Sequence, residues 1–158
     1  TKSMNIGQFL TGVVQDSIPA SLIPALLFLI GVVVSFATGS SWGVWALGMP
    51  IALPMANAMG IPLTLAIGAV VSGGLFGDHC SPISDTTIQS STSACCDHLQ
   101  HEKTQLPYAL TVGISSLIGF LFAGLVAPVL ALPVTLVCII AALLVMKNIS
   151  RKRAAVAA

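Results

Sequence analysis

Four apolar blocks divide the chain. The first runs from Ile18 to Ala37 and contains Leu22-Ile23-Pro24-Ala25-Leu26-Leu27-Phe28-Leu29-Ile30-Gly31-Val32-Val33-Val34. At roughly 20 residues it predicts a helix able to cross about 30 Å of hydrocarbon. The second, Val44 to Ala56, is roughly 13 residues long and carries Pro50 and Pro54. That is short for a span and reads as half of a re-entrant element. The third begins at Ile61-Pro62 and runs to Phe76, where polar residues take over. The last, Pro107 to Met146, is long enough for two helices, with Pro128 and Pro133 marking the turn between them. Before all of these, residues 1–17 carry a weak apolar pattern (Ile6, Phe9, Leu10, Val13, Val14) that predicts at most a surface or amphipathic helix.

Two polar interruptions lie between the blocks. The first is Ala37-Thr38-Gly39-Ser40-Ser41-Trp42-Gly43. Its glycines permit unusual backbone angles, and its hydroxyls and freed carbonyls are the oxygen ligands that hard cations prefer. A plain loop with Trp42 at the membrane interface is the simpler alternative. The second is Gly73-Gly74-Leu75-Phe76-Gly77-Asp78-His79-Cys80-Ser81-Pro82-Ile83-Ser84-Asp85-Thr86-Thr87. Pro82 cannot continue a helix without losing a hydrogen bond, so the helix is expected to break here. Non-helical backbone at membrane depth is tolerated only where it is buried in protein or lines a wet cavity.

Composition removes most other classes. Hydrophobic residues make up 56% of the chain and charged residues 7%, against about 25% charged in ordinary globular chains; mean hydropathy is +0.99. A net charge of +1 leaves no basic field for nucleic acid. An integral membrane protein remains, with the lipid bilayer as its first partner. The cluster Lys147-Asn148-Ile149-Ser150-Arg151-Lys152-Arg153 follows the last apolar block, and the positive-inside rule makes it cytoplasmic. Counting back two spans puts the polar segment around Asp97, His98, His101, Glu102 and Lys103 on the same side, as a solvated loop. Cys80, Cys95, Cys96 and Cys138 do not have the spacing of a secreted disulfide framework. Zinc held by Cys95, Cys96, His98 and His101 is disfavoured, because no CxxC pair is present. The chain begins Thr1-Lys2-Ser3-Met4 without a signal-peptide pattern.

The chemistry concentrates in the second interruption. Asp78 and Asp85 are two of the chain's four Asp, set among Ser81, Ser84, Thr86 and Thr87. Carboxylates at membrane depth are costly, about 2.5–3.5 kcal/mol each on insertion scales, and are functional-site candidates by default. Burial favours the protonated form of a carboxyl group, and a bound cation favours the ionised form. One such group can therefore hold either H⁺ or Na⁺, which couples their movements. Asp78 and Asp85 are the candidate Na⁺/H⁺ carriers and Na⁺ ligands. Ser81, Ser84, Thr86, Thr87, Thr38, Ser40 and Ser41 form the candidate neutral ligand shell. The plainer alternative is that each Asp merely caps or faces solvent. His79, an imidazole beside Asp78, is a candidate pH modulator. His98 and His101 read as wet-surface residues.

These residues resemble a known family. The run from Gly77 to Thr87 is similar to the signature segment of the NhaC-type Na⁺/H⁺ antiporters, Asp97 to Ala109 resembles the segment that follows it there, and Thr38 to Gly43 resembles an upstream glycine-hydroxyl-tryptophan motif. The resemblance implies an exchanger about three times this length, with this chain as its C-terminal part. The expected fold is an all-α integral membrane bundle with a re-entrant hairpin and a broken transmembrane helix, one half of an inverted-repeat transporter of the ion-transporter superfamily. In that frame residues 18–56 form the hairpin, 61–92 the broken helix, 93–106 a cytoplasmic loop, 107–127 and 128–146 two spans, and 147–158 a cytoplasmic tail. The hairpin tip and the break would face each other at the ion site.

The expected function is secondary active Na⁺/H⁺ antiport in the cytoplasmic membrane. The alternative is Na⁺-coupled exchange of organic acids, as in malate/lactate exchange, or of amino acids. No ATP-binding motif appears, and neither a cofactor nor a catalytic residue is expected. The partners are Na⁺, H⁺, the missing N-terminal half and, optionally, a second copy; nucleic acid is excluded. An intramembrane hydrolase using Asp78 and Asp85 is disfavoured, because a proton-sharing acid pair needs close range and a spacing of seven does not demand it.

Overall fold

A computed structural model describes Gly12 and residues 18–157, with side-chain surroundings as far as Asn148. The surface helix expected within residues 1–17 falls, Gly12 apart, outside the described residues, as do the side chains of Arg151, Lys152 and Arg153. A 3-10 turn, Ala20–Leu22, leads into α1 (Ile23–Thr38); α2 (Ser41–Ala58), α3 (Leu63–His79), α4 (Asp85–Ser93) and α5 (His98–Leu125) follow, and a second 3-10 turn, Pro128–Leu130, precedes α6 (Ala131–Ala157). No strand occurs among the described residues. Among the described residues, four segments are long and apolar enough to cross a membrane: Ala20–Thr38, Leu63–Cys80, His98–Leu125 and Pro128–Asn148.

The close contacts fix helix directions. The Phe28 carbonyl faces Gly73, the Val32 carbonyl faces Gly77, and Phe36 reaches Ser81. The paired positions advance together, so α1 and α3 run parallel. Gly48 lies against Val70 while Val44 and Trp45 lie against Gly74, so α2 runs the opposite way. Phe76 covers Gly113 and Phe120 approaches Gly68, which makes α5 antiparallel to α3. Thr135 packs on Gly119 and Met146 receives a hydrogen bond from Thr111, so α6 returns alongside α5. The end of α1, the start of α2, the break after α3, the start of α5 and the later turns of α6 therefore share one side of the bundle.

Small residues explain the intimacy of α1 and α3. Ala66, Ala69, Gly73, Gly74 and Gly77 are all buried on α3. A Cβ at Gly73 or Gly77 would strike an α1 carbonyl. Small residues one turn apart let membrane helices approach backbone to backbone. Ser35 then donates its hydroxyl to the Gly74 carbonyl at 2.6 Å, a buried bond across the pair. Phe28 anchors the core, with ring centroids 6.1 Å from Phe76 and 5.4 Å from Phe120.

The structure redraws two expected boundaries. The first interruption shrinks to Gly39-Ser40: Trp42 and Gly43 already belong to α2, an 18-residue helix that contains both Pro50 and Pro54. Gly39 ends α1 at φ 67°, the left-handed geometry of a helix C-terminus, and extended Ser40 starts the next helix. The segment 93–106 is non-helical only from Ala94 to Asp97. Asp97 caps α5 by accepting from the Gln100 amide at 2.9 Å, which converts the following polar residues into helix. The break comes, as expected, where the third apolar block ends: α3 stops at His79. Its sequel, α4, is nine residues of mainly Ser and Thr.

Candidate functional site

The site is built on the turn that separates α3 from α4. The Ser84 amide donates to the Ser81 carbonyl at 3.2 Å, closing a four-residue turn with Pro82 second. Proline suits that place because its fixed φ matches the turn and its missing N–H is not needed there. Two contacts from the α1 side hold the turn. Ser81, fully buried, donates its hydroxyl to the Phe36 carbonyl at 2.8 Å. Gly39 lies so close that a Cβ there would sit 2.7 Å from the Ile83 carbonyl. The tip between α1 and α2 is thus packed directly on the turn between α3 and α4.

Asp78 occupies the last turn of α3 and is 2% exposed. A helix C-terminus carries partial negative charge, so this is an unfavourable place for a carboxylate unless other groups compensate. Hydroxyls from the turn supply part of that compensation. Ser84, fully buried, donates to Asp78 Oδ1 at 2.6 Å. The Thr86 hydroxyl lies 2.8 Å from Ser84 Oγ and 3.3 Å from Asp78 Oδ2. Thr87 is 2% exposed, and its Oγ1 has no hydrogen-bond partner. An unpartnered buried hydroxyl costs on the order of 1–3 kcal/mol, which makes it notable in a polar site.

The other sequence candidates are placed differently. Asp85 is exposed, as the first residue of α4, where the positive end of the helix dipole suits it. It does not join the hydrogen bonds around Asp78. Thr38 is exposed and donates to the Val34 carbonyl of its own helix at 2.9 Å. Ser40 is half-buried and Ser41 buried, and neither bonds to Asp78. His79 is exposed beside a 510 Å³ cavity whose lining includes Phe76, Gln105 and Tyr108. Its carbonyl accepts from Gln105 Nε2 at 3.1 Å. No group of three or more His, Cys, Asp and Glu able to hold a metal occurs among the described residues.

Three structural contributors escape a reading of the sequence. Ser35 looks like a small residue in an apolar run, yet it ties α1 to α3. Phe36 contributes through its backbone carbonyl, which no sequence pattern advertises. His98, expected on a wet surface, is half-buried with its Nε2 2.6 Å from the Pro82 carbonyl. For Ser35, the one available signal was a hydroxyl one helical turn before Gly39.

Comparison with known proteins gives the family of the chain. The model of the Na⁺/H⁺ antiporter family matches residues 1–125. A malate-2H⁺/Na⁺-lactate antiporter of Bacillus subtilis is 35% identical over 97 residues, 58% of this chain and 21% of that protein. An arginine/ornithine antiporter of Halobacterium salinarum is 39% identical over 110 residues, 69% of this chain and 22% of that protein. The NhaC Na⁺/H⁺ antiporter of Alkalihalophilus pseudofirmus is 36% identical over 97 residues, 61% of this chain and 21% of that protein. The matched region thus spans about a fifth of the length of these curated relatives. No solved structure gives a significant match. With the greater part of its length matched by the family model, the chain belongs to the Na⁺/H⁺ antiporter family.

Proposed function

We propose that this chain carries one half of the ion site of a secondary active Na⁺/H⁺ antiporter of the cytoplasmic membrane, with Asp78 as the carrier. The observation that carries the reading is a buried carboxylate at a helix C-terminus whose recorded hydrogen-bond partners are hydroxyls. Hydroxyls serve both states of the group. They donate to the ionised carboxylate, accept from the protonated carboxyl, and offer lone pairs to a hard cation. A proton leaving Asp78 exposes a negative charge that Na⁺ neutralises, and Na⁺ leaving invites the proton back. Only one occupant at a time relieves the charge, so the two fluxes are coupled.

In this reading Ser84 and Thr86 ligate beside Asp78, and the unpartnered Thr87 oxygen completes its bonding with the ion. Ser81 belongs to the shell through its position in the turn and its bond to α1. Asp85, exposed at the start of α4, is the outer carboxylate station of the same path. Thr38, Ser40 and Ser41 line the facing tip, and His79 modulates from the rim. α1 and α2 form the hairpin, and the remainder of the transporter supplies the inverted half. The tail from Lys147 onward is cytoplasmic by its basic residues.

A second reading is Na⁺-coupled exchange of an organic acid or amino acid, supported by the names of the malate/lactate and arginine/ornithine relatives. One experiment addresses both. Everted vesicles containing the full-length transporter are assayed for proton flux driven by Na⁺, Li⁺ or K⁺, with and without L-malate, L-lactate or L-arginine. Flux elicited by Na⁺ alone supports the first reading; flux that appears only with an organic substrate supports the second. Asp78→Asn is expected to reduce Na⁺-dependent proton flux to background with membrane insertion intact. Wild-type flux in that variant rejects the carrier assignment.

A further inference from the structure

The turn between Asp78 and Asp85 is held from two sides. On the α1 side, Ser81 bonds the Phe36 carbonyl and Gly39 abuts Ile83. On the α5 side stands His98, the first residue of that helix. Its Nε2 lies 2.6 Å from the Pro82 carbonyl, and its Nδ1 lies 3.2 Å from Ser91 Oγ on α4. A carbonyl only accepts, so Nε2 carries the proton in this bond.

The Pro82 carbonyl is the second residue's carbonyl in the Ser81–Ser84 turn, and the turn's own bond uses the Ser81 carbonyl instead. His98 therefore binds the outward-facing edge of the turn. Two residues later, Ser84 delivers its hydroxyl to Asp78. We infer that His98 is a positioning residue for the ion site: by pinning the Pro82 carbonyl to the start of α5, it holds Ser84 and Thr86 in register with Asp78. This inference rests on the assignment of Asp78 as the carrier.

The arrangement gives His98 a role that a surface histidine lacks. Without the bond the Pro82 edge loses its one hydrogen bond to α5, and the turn stays attached on the α1 side. The expected consequence is a looser ligand set at Asp78 rather than loss of the fold. A hydrogen bond of this kind contributes about 1 kcal/mol, equivalent to about fivefold in an equilibrium constant. The effect belongs in apparent Na⁺ affinity, because the ligands are displaced and not removed.

The test uses the full-length transporter in everted vesicles, with Na⁺ and Li⁺ as probes and expression level as control. His98→Ala is expected to raise the half-saturating Na⁺ concentration about fivefold, with maximal flux within about twofold of wild type. His98→Gln places an amide N–H at about the reach of Nε2 and is expected to restore most of the affinity. His98→Asn reaches only as far as Nδ1, keeps the Ser91 contact, and is expected to resemble the Ala variant. Wild-type half-saturation in His98→Ala overturns the inference, and so does rescue by Asn equal to rescue by Gln. Asp78→Asn is measured in parallel. If it abolishes flux while His98→Ala behaves as wild type, the positioning role alone fails; if Asp78→Asn leaves Na⁺-dependent flux intact, the carrier assignment and the positioning role fail together.

Discussion

The α1–α3 pair and the α5–α6 hairpin are both made of long apolar helices, yet they are held in different ways. Half of the α3 span is buried within the chain, whereas none of the α6 span is. α3 presents Gly73, Gly74 and Gly77 to α1, and the two helices share a buried hydroxyl-to-carbonyl bond. α6 presents Leu132, Leu136, Val137, Ile140, Leu143 and Leu144 outward, all exposed. Lipid tails are as apolar as leucine, so hydrophobicity alone does not draw helices together in a bilayer. Close approach and polar bonds do. The first pair has both and carries the candidate site at its end. The second has few, and its open face is fit for lipid or for further protein.

The largest expected contrast between the regions is steric. Gly77→Leu is expected to prevent assembly, because even a Cβ there meets the Val32 carbonyl. Leu136→Ala on α6 is expected to change stability by no more than about 0.5 kcal/mol, as for other exposed positions. Thermal stability of both variants of the full-length protein in detergent measures the difference. A large loss for Leu136→Ala would show that the open face of α6 is packed against other protein rather than lipid.

A smaller effect is expected where the two turns touch. Gly39 has φ 67°, and a side chain there would crowd the Ile83 carbonyl. Gly39→Ala is expected to cost about 1–3 kcal/mol through backbone strain and displacement of the Ser81–Ser84 turn. It should lower apparent Na⁺ affinity as well as melting temperature. Unchanged affinity would show that the tip does not control the site. Ser35→Ala removes the bond to Gly74 and is expected to cost about 1 kcal/mol, read from the same melting curves. A neutral result would mean that backbone packing alone holds α1 to α3.

A further effect lies outside both regions and has the opposite sign. Cys95 has φ 52°, and the amides of Cys95 and Cys96 donate to the Thr92 and Ser91 carbonyls. This is the glycine-preferring end of α4. Cys95→Gly is expected to raise stability by up to about 1 kcal/mol. A fall would show that the Cys95 side chain makes a contact that outweighs the strain.

Much of this architecture is legible in the chain. The apolar blocks marked α1, α3, α5 and α6; the turn between the last two lies at residues 126–130, with Pro128 in it and Pro133 inside the first turn of α6. Pro82 marked the break. Boundaries were less legible. Trp42 and Gly43 looked like loop and are helix, because a single left-handed glycine suffices to end α1. Residues from His98 to Gln105 looked like a solvated loop and are helix, because Asp97 caps them and the apolar run that follows extends backward through them.

The sequence by itself determined the solvent, the number of apolar blocks and the location of the break, since these follow from hydropathy, length and the chemistry of proline and glycine. It also singled out Asp78 and Asp85 alike as residues needing explanation. Only the tertiary structure decided that Asp78 is buried among Ser84 and Thr86 while Asp85 is exposed. Likewise, only the packed fold showed that Ser35, the Phe36 carbonyl and His98 hold the surrounding backbone. Burial and hydrogen-bond partners depend on which distant segments meet, and a backbone carbonyl looks the same in every residue until the chain is packed.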